Sequence, residues 1–561
     1  MKSATSFFDL HTVRKDITRF APLWGIYLIG GILVMLTSLS SNLPYHVAGN
    51  LVETLAGFSV INMLYAGLVA MLLFGDLFNS RLCNALHAMP LRRETWFVSH
   101  VVSGLAFSIV PHAIAIAFLA PMMLSYEYVG LIWLLGMILE YLFFFGLAVF
   151  SVFCAGNRFA MIAVYAILNS ASVLALSFII SVYEPLMFGM KINQEPFQLL
   201  CPVFQMVSYN DIDDFIIFKR PSPGDMARSD IYSDYYSFGG LGPAWNYLWV
   251  IAAIGVALLA LSLILYRRRA LETAGDFMAV RPLAPVFSLI YTLTIGILFH
   301  AMGDLLIGQF SVFLTVGIII GYFTSQMLLQ RTVKIFKPKA FLKCGGILVL
   351  LLVSMGLTWL DPLGISQYVP KPEKVEQLQV EIVYGRDQPL VFTDEEVIRD
   401  FTELHRQLID AGRSDGGSGQ RFTVEYTYTM KNGATIFRTY NFRKTSPIYN
   451  ILKTHLSDPK HLLGYTDWND YVNRVIMIDI QPLGKIPESK HKALLDAIKA
   501  DCEAGNLIQN DSFQTTDKYA YASFEGWITI VTESESGQQV AQELQYFSTA
   551  KNIMAFIKEN E

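Results

Sequence analysis

The sequence predicts a polytopic α-helical membrane protein with about nine transmembrane helices, followed by a soluble α+β C-terminal domain. First, 53% of the 561 residues are hydrophobic and only 16% are charged, against about 25% charged residues in soluble domains. Second, residues 361–561 hold 29 of the 47 acidic and 21 of the 42 basic residues, which gives that part −8 and leaves +3 for residues 1–360. Two regions suited to different solvents therefore share one chain.

The first element is a helix expected to lie in the membrane interface at residues 6–20. Its apolar stripe is Phe7, Leu10, Val13, Ile17 and Phe20, and its charged stripe is Arg14, Lys15, Asp16 and Arg19. Such a two-faced pattern is typical of interfacial helices. The N-terminal stretch MKSATSFFDLHTVRKD lacks a cleavable signal pattern, so we expect the first span to stay in the mature protein.

Nine apolar runs follow, each long enough to cross a bilayer core of about 30 Å. They occupy residues 22–39, 57–77, 96–124, 128–153, 159–183, 245–266, 284–301, 308–329 and 341–360. Lys and Arg residues are unevenly distributed among the segments outside the apolar runs. The N-terminal segment and every second connecting segment after it hold 16 of them, and residues 184–244 hold the other four. Basic loops stay cytoplasmic, so we expect an inside N-terminus in the cell membrane and an extracellular domain at residues 361–561. If two weak spans were one, that domain would be cytoplasmic.

A polar interruption between the second and third spans, Gly75–Trp96, predicts a short amphipathic helix at the inner face. The apolar positions at helical spacing are Leu82, Leu86 and Met89. Pro90 ends the pattern, and the two arginines that follow favour the cytoplasmic side. The alternative is an ordinary basic loop between two spans.

Glu140 is an ionisable residue within an apolar run, LGMILEYLFFFG. A charge there costs at least about 2.5 kcal/mol, so the side chain should face a partner or a cavity. Candidates in neighbouring spans are His100, His112 and Asn169. One interpretation is a substrate or proton contact; the other, which we favour, is an interhelical hydrogen bond that fixes packing.

The sequence contains no pattern for catalysis or for a bound cofactor. It lacks GxxxxGK[ST], HExxH and a nucleophile elbow, and its five cysteines form no CxxC pair. We therefore expect no enzymatic activity, cofactor, metal or nucleic-acid partner, and any ATP hydrolysis must take place in another subunit. Whether Cys201 and Cys502 pair stays open, because nothing in their spacing requires it.

The C-terminal region predicts two copies of a strand–helix–hairpin–helix module, at about 370–460 and 472–561. In the first copy a strand at 375–385 precedes a helix at 393–412, for which Thr393 is the expected N-cap. A hairpin closed at Asn432-Gly433 follows. The alternative is chance similarity between two α+β stretches. We expect a binding or assembly domain.

Taken in order, four features resemble the permease subunit of ABC-2-type ATP-binding-cassette transporters. They are the interfacial helix, the inner helix ending in Met89-Pro90-Leu91-Arg92-Arg93, the six-span core and the polar segment Arg267–Gly275. The resemblance covers residues 1–275. Residues 276–360, with three additional spans, and the outer domain at 361–561 are similar to a subset of these permeases from Gram-positive bacteria, many found beside antibiotic-response regulators.

The resemblance implies export of an amphiphilic substrate, such as a peptide antibiotic or a lipid, driven by a separate cassette ATPase. It places that ATPase against Arg81, Leu82, Leu86, Met89, Arg92 and Arg93. It also implies a second permease copy or paralogue, a lipid environment and a role in antibiotic resistance. The alternative is a membrane sensor whose outer domain binds a ligand or a cell-wall component. The substrate and the direction of transport do not follow from the sequence.

Overall fold

The computed structural model describes residues 8–560 apart from several short segments. Those segments are 39–43, 89–91, 120–126, 210–211, 220–236, 270–272, 308–309, 384–389, 413–420, 444–445, 447, 449–450, 453–454, 456–457, 464, 466–467, 505, 508–523 and 534–538. The chain divides into two compact units. One comprises Met1–Phe178 with Gln194–Leu350, and the other comprises Ile179–Asn193 with Leu351–Glu561.

Long apolar helices make up most of the first 360 residues. The helices up to the fifth predicted span are α1 Leu10–Arg19, α2 Ala21–Ser38, α3 Pro44–Leu73, α4 Ser80–His87, α5 Arg93–Leu119, α6 Glu127–Cys154 and α7 Arg158–Val182. After them come the short helices α8 Glu195–Leu199, α9 Pro202–Ser208 and α10 Ile212–Phe215, with a hairpin of β1 Ile216–Lys219 and β2 Ser237–Leu241. The remaining long helices are α11 Ala244–Arg268, α12 Ala284–Ile307, α13 Phe310–Gln330 and α14 Pro338–Leu360.

The helix lengths and hydropathy confirm a polytopic helical architecture. Among the described residues, eight helices are long and apolar enough to cross a membrane, or nine if the bent pair α1 and α2 is one span. The axes of α1 and α2 differ by 66°. The predicted total of nine thus depends on the first span, where an amphipathic helix leads into an apolar one.

A close backbone contact in the membrane unit joins α6 to α11 through two glycines. A Cβ added to Gly146 would lie 2.4 Å from the carbonyl oxygen of Gly255, and one added to Gly255 would lie 2.5 Å from that of Leu142. No L side chain fits such a gap. Small residues are favoured at membrane helix interfaces because they allow this backbone approach.

The turn after α6 is hydrogen-bonded to the polar segment that follows α11. The amide of Ala279 donates to the carbonyl of Cys154 at 2.8 Å, and the amide of Gly275 donates to that of Gly156 at 2.7 Å. A Cβ at Gly156 would lie 2.4 Å from the carbonyl oxygen of Asp276. These contacts hold residues 275–279 against the turn that follows α6.

The C-terminal region contains two four-stranded antiparallel sheets with the same strand order. The first sheet is β3 Val375–Val383, β4 Leu390–Phe392, β5 Arg421–Met430 and β6 Thr435–Arg443; the second is β7 Val475–Ile480, β8 Gly484–Lys485, β9 Phe524–Glu533 and β10 Gln539–Phe547. In both, the second strand pairs with the first, the first with the third and the third with the fourth. The helices are α15 Glu395–Gly412, α16 Pro459–Leu463, α17 Trp468–Arg474, α18 Glu488–Glu503 and α19 Lys551–Asn560.

The local predictions for the first sheet can be compared with the structure. The hairpin of β5 and β6 is confirmed, and Gly433 has a φ of +80°, which glycine adopts at low cost. The predicted N-cap of α15 was wrong by one residue. Asp394, not Thr393, accepts hydrogen bonds from the amides of Glu396 and Val397, at 2.9 and 3.4 Å. Aspartate and threonine are both common N-caps, so the pattern alone does not distinguish them.

The segment after α7 is attached to the edge strand β6 within its own unit. The carbonyl of Gly189 accepts a hydrogen bond from the amide of Thr439 at 3.1 Å. Lys191 lies 2.5 Å from Glu425. Gly189 has a φ of +71°, and a Cβ there would overlap the ring of Tyr440. Residues 188–191 therefore form a strap on the first sheet.

His405 is buried beneath that sheet among tyrosines. Its Nδ1 lies 2.8 Å from the hydroxyl of Tyr428 and its Nε2 lies 2.7 Å from that of Tyr440, while its ring stacks on Tyr426. Burial lowers the pKa of His405 to about 3, and the nearby cations Arg438 and Arg406 add to the effect. The folded domain thus holds a neutral imidazole.

Acidification is expected to destabilise this domain through His405. The pKa of an unfolded histidine is about 6.5, so below that pH the unfolded chain binds a proton that the folded chain does not. Stability is complete above about pH 6.5 and falls as the pH drops toward the folded value, by about 2 kcal/mol at pH 5. Thermal unfolding of the C-terminal domain, measured with the full chain in lipid nanodiscs at pH 7.5 and pH 5, should show this loss of stability at pH 5. In His405→Gln, the difference in stability between the two pH values should be smaller by about 2 kcal/mol. Equal losses in both chains would contradict it.

Candidate functional site

The short helix α4 is held by contacts at its start and on one side. The Asn79 side chain accepts a hydrogen bond from the amide of Arg81 at 3.0 Å, which caps the first turn. Cys83 is buried against the rest of the unit, whereas Leu82 is 49% exposed. The helix therefore has an inner side and an outer side, and an apolar residue lies on the outer one.

The predicted partner-contact residues differ in what surrounds them. Arg81 and Arg92 are exposed, as is Leu82. Met89 and the side chain of Leu86 lie outside the described part of the structure. α4 therefore exposes an apolar side chain next to a cation, a composition that suits the edge of an interface.

Arg93 is bound within the chain. Its guanidinium donates to the carbonyls of Tyr266 and Arg269, both at 3.2 Å, and lies 5.7 Å from the centre of the Tyr266 ring. Beside it, Arg267 is 3.0 Å from Glu94. A cation at a helix C-terminus compensates the unpaired carbonyls there. Arg93 thus joins the start of α5 to the end of α11.

A buried ionisable cluster connects α1 to the same helix, α5. Asp16 is 4% exposed, and its Oδ2 lies 2.7 Å from Nδ1 of His100 and accepts a hydrogen bond from Ser103 at 2.8 Å. The amide of Asp9 also donates to Ser99 at 3.0 Å. Asp16 was assigned to the polar stripe of α1, and that assignment was wrong, because its partners lie on α5.

Glu140 lies at the centre of a second polar cluster. Its side chain is fully buried, and its Oε2 accepts a hydrogen bond of 2.6 Å from the amide of Asn62 on α3. The carbonyl oxygen of that amide accepts a hydrogen bond from the hydroxyl of Tyr27 on α2. The other carboxylate oxygen, Oε1, has no partner among the described residues. Two successive hydrogen bonds therefore link α6, α3 and α2.

The other polar residues predicted near Glu140 lie in different surroundings. The ring of His112 meets that of Tyr27 edge-on at 5.0 Å, next to the cluster. His100 contacts Asp16 instead, and Asn169 donates to the carbonyl of Tyr165 on its own helix. The sequence did not single out Asn62 or Tyr27; a short polar side chain within an apolar run is the signal that would have found Asn62.

The five cysteines are all buried, and no disulfide joins Cys201 to Cys502.

Comparisons of the chain with protein-family models, curated proteins and solved structures each gave no match. The evidence on function is therefore in the chain's own residues.

Proposed function

We propose that this chain is the membrane subunit of an ABC-2-type exporter, driven by a separate cassette ATPase. The observation that carries the proposal is α4: a capped helix between two predicted spans that exposes Leu82 and Arg81. A helix fixed on one side with an apolar residue exposed on the other is suited to insertion into a cleft of a partner. The chain enters α4 from α3 through the turn Gly75–Phe78, which gives a path from that partner to the membrane helices.

The chain's other contacts are consistent with the proposed topology. The strap at residues 188–191 and the sheet at 421–443 bind each other, so they lie on one side of the membrane. The counts of basic residues support the proposal that this side faces the outside of the cell. Arg93 and the end of α11 lie together on what we propose is the cytoplasmic side. A second permease copy would complete the exporter, and the substrate would be amphiphilic, such as a peptide antibiotic or a lipid.

The outer region is proposed to be a tandem repeat of one module. The identical strand orders of the two sheets support this, because two independent α+β stretches have many other topologies open to them. The strap supports the second candidate function, a membrane sensor, since it attaches the segment after α7 to the first module. A ligand bound by that module would then act on α7.

Replacing Leu82 with Asp is expected to detach the ATPase while leaving membrane insertion intact. A central apolar residue at an interface contributes about 2 kcal/mol or more, roughly 30-fold in affinity, and a carboxylate there would also be desolvated. The measurement is the yield of ATPase that co-purifies with the tagged chain from its native membranes, together with ATP hydrolysis by the complex.

Asn84→Asp is the matched control, because it places the same charge at an exposed position elsewhere on α4. It should keep the wild-type yield. An ATPase yield unchanged by Leu82→Asp would refute the assigned contact. A wild-type chain that brings down no ATPase and yet binds a ligand through its outer region would favour the sensor.

A further inference from the structure

A basic cavity lies where α11 ends, within the membrane unit. It has a volume of about 560 Å³, and its lining includes Arg268, Arg269 and Arg281. The lining also includes one acidic side chain, Asp276, so its formal charge is positive. Apolar side chains, among them Phe153 and Leu265, form the rest of the wall. The cavity thus combines cationic residues with an apolar wall.

Within the described part of the chain, no carboxylate forms an ion pair with the arginines of this cavity. No ion pair joins Arg268, Arg269 or Arg281 to another described residue, and the pair beside them belongs to Arg267 and Glu94. Arg269 donates through Nη1 to the carbonyl of Val152 at 3.1 Å. Its Nη2 is buried with no hydrogen-bond partner in the described part of the chain. A buried guanidinium nitrogen without an acceptor costs free energy, which a bound anion would recover.

The position of the cavity indicates which anion it takes. Arg268 is the last residue of an apolar helix with the length and hydropathy of a membrane span, so the arginines lie at one end of that helix, where lipid head groups are expected. The hydrogen bonds between residues 275–279 and 154–156 hold the segment that contributes Asp276 and Ala279 to the lining. Guanidinium groups bind phosphate oxygens in pairs, and basic pockets between helices at the membrane surface attract anionic lipids.

We propose that this cavity binds the phosphate of an anionic phospholipid, with the arginines on the head group and the apolar wall against the start of the acyl chains. The site is independent of any ATPase, so it stands or falls separately from the exporter proposal. Soluble phosphate shares the head-group chemistry but has no apolar part that could contact Phe153 and Leu265.

Native mass spectrometry of the purified full-length chain with added phosphatidylglycerol or phosphatidylcholine tests this site. We expect retained phosphatidylglycerol to exceed phosphatidylcholine, and each arginine removed to weaken it about fivefold. The variants are Arg269→Gln and Arg281→Gln. The side chain of Arg281 is exposed, so its replacement should reduce lipid binding without disturbing the fold. Arg267→Gln is the matched control: it removes the same charge from the same helix end but from outside the cavity.

Loss of phosphatidylglycerol in the two cavity variants, with retention in Arg267→Gln, would support the site. Equal loss in all three, or none in Arg281→Gln, would overturn it, since general surface charge would then explain binding. Inorganic phosphate at 10-fold excess over lipid forms the second arm. If phosphate alone displaces the lipid, the cavity is a soluble-anion site and the lipid assignment is wrong.

Discussion

Replacement of Asp16 with Ala is expected to release α1 from α5. The carboxylate is the shared acceptor for His100 and Ser103, and all three side chains are buried. Removing it leaves the buried imidazole without its acceptor, at a cost of about 3 kcal/mol, while Ser103 can still donate to the carbonyl of Ser99. The contact of Asp9 with Ser99, the Trp24 hydrogen bond to the carbonyl of Ile17 and the packing of α1 would remain.

Hydrogen exchange in lipid nanodiscs measures this directly. A loss of about 3 kcal/mol corresponds to roughly 100-fold faster exchange of the amides of Leu10–Arg19. Asp16→Asn should give an intermediate rate, because an amide oxygen still accepts one hydrogen bond. Lys15→Ala is the control, since Lys15 is exposed on the same helix. Protection that stays at the wild-type level in Asp16→Ala would show that the cluster does not hold α1.

Replacement of Asn62 with Leu is expected to destabilise the helix bundle by a similar amount, about 3 kcal/mol. The amide is the donor to Glu140 and the acceptor for Tyr27, so its loss leaves two buried polar groups unpaired in an apolar setting. A second substitution, Glu140→Leu, should recover the part of the loss that comes from the unpaired carboxyl group, because removing both partners is less costly than removing one, while Tyr27 stays unpaired.

Thermal unfolding of the single and double variants in one detergent tests the network. A double variant as unstable as Asn62→Leu would argue against the pairing. Glu140→Gln separates packing from transport, since glutamine keeps the size of the side chain and an oxygen that accepts from Asn62. Export or resistance lost in a stable Glu140→Gln chain would assign a function to the carboxyl group, and normal export would leave it a packing role.

The periodicity of the sequence was sufficient for the elements that depend on local pattern. The long apolar runs coincide with the long helices, and Asn432-Gly433 closes the predicted hairpin. Helical and strand periods report which face of an element is apolar, and that is all these assignments required. The bend between α1 and α2 likewise follows a change from amphipathic to uniformly apolar sequence.

Partners distant in the chain could not be predicted in this way. Asp16 looks like a surface residue because its neighbours are charged, yet its acceptor role depends on a residue 84 positions later. Arg93 was expected at a partner's rim and instead binds carbonyls 173 to 176 positions away. The strap at Gly189 depends on the ring of Tyr440. A sequence pattern indicates whether a position is buried or exposed, but it does not identify the distant residue that the side chain contacts.

The glycine contact between α6 and α11 has a consequence for movement in the membrane. The two backbones meet with no side chain between them, so they cannot approach further, and the contact holds no side chain that could repack to absorb a shift. We therefore expect α6 and α11 to move together in any rearrangement of the bundle, with hinges elsewhere.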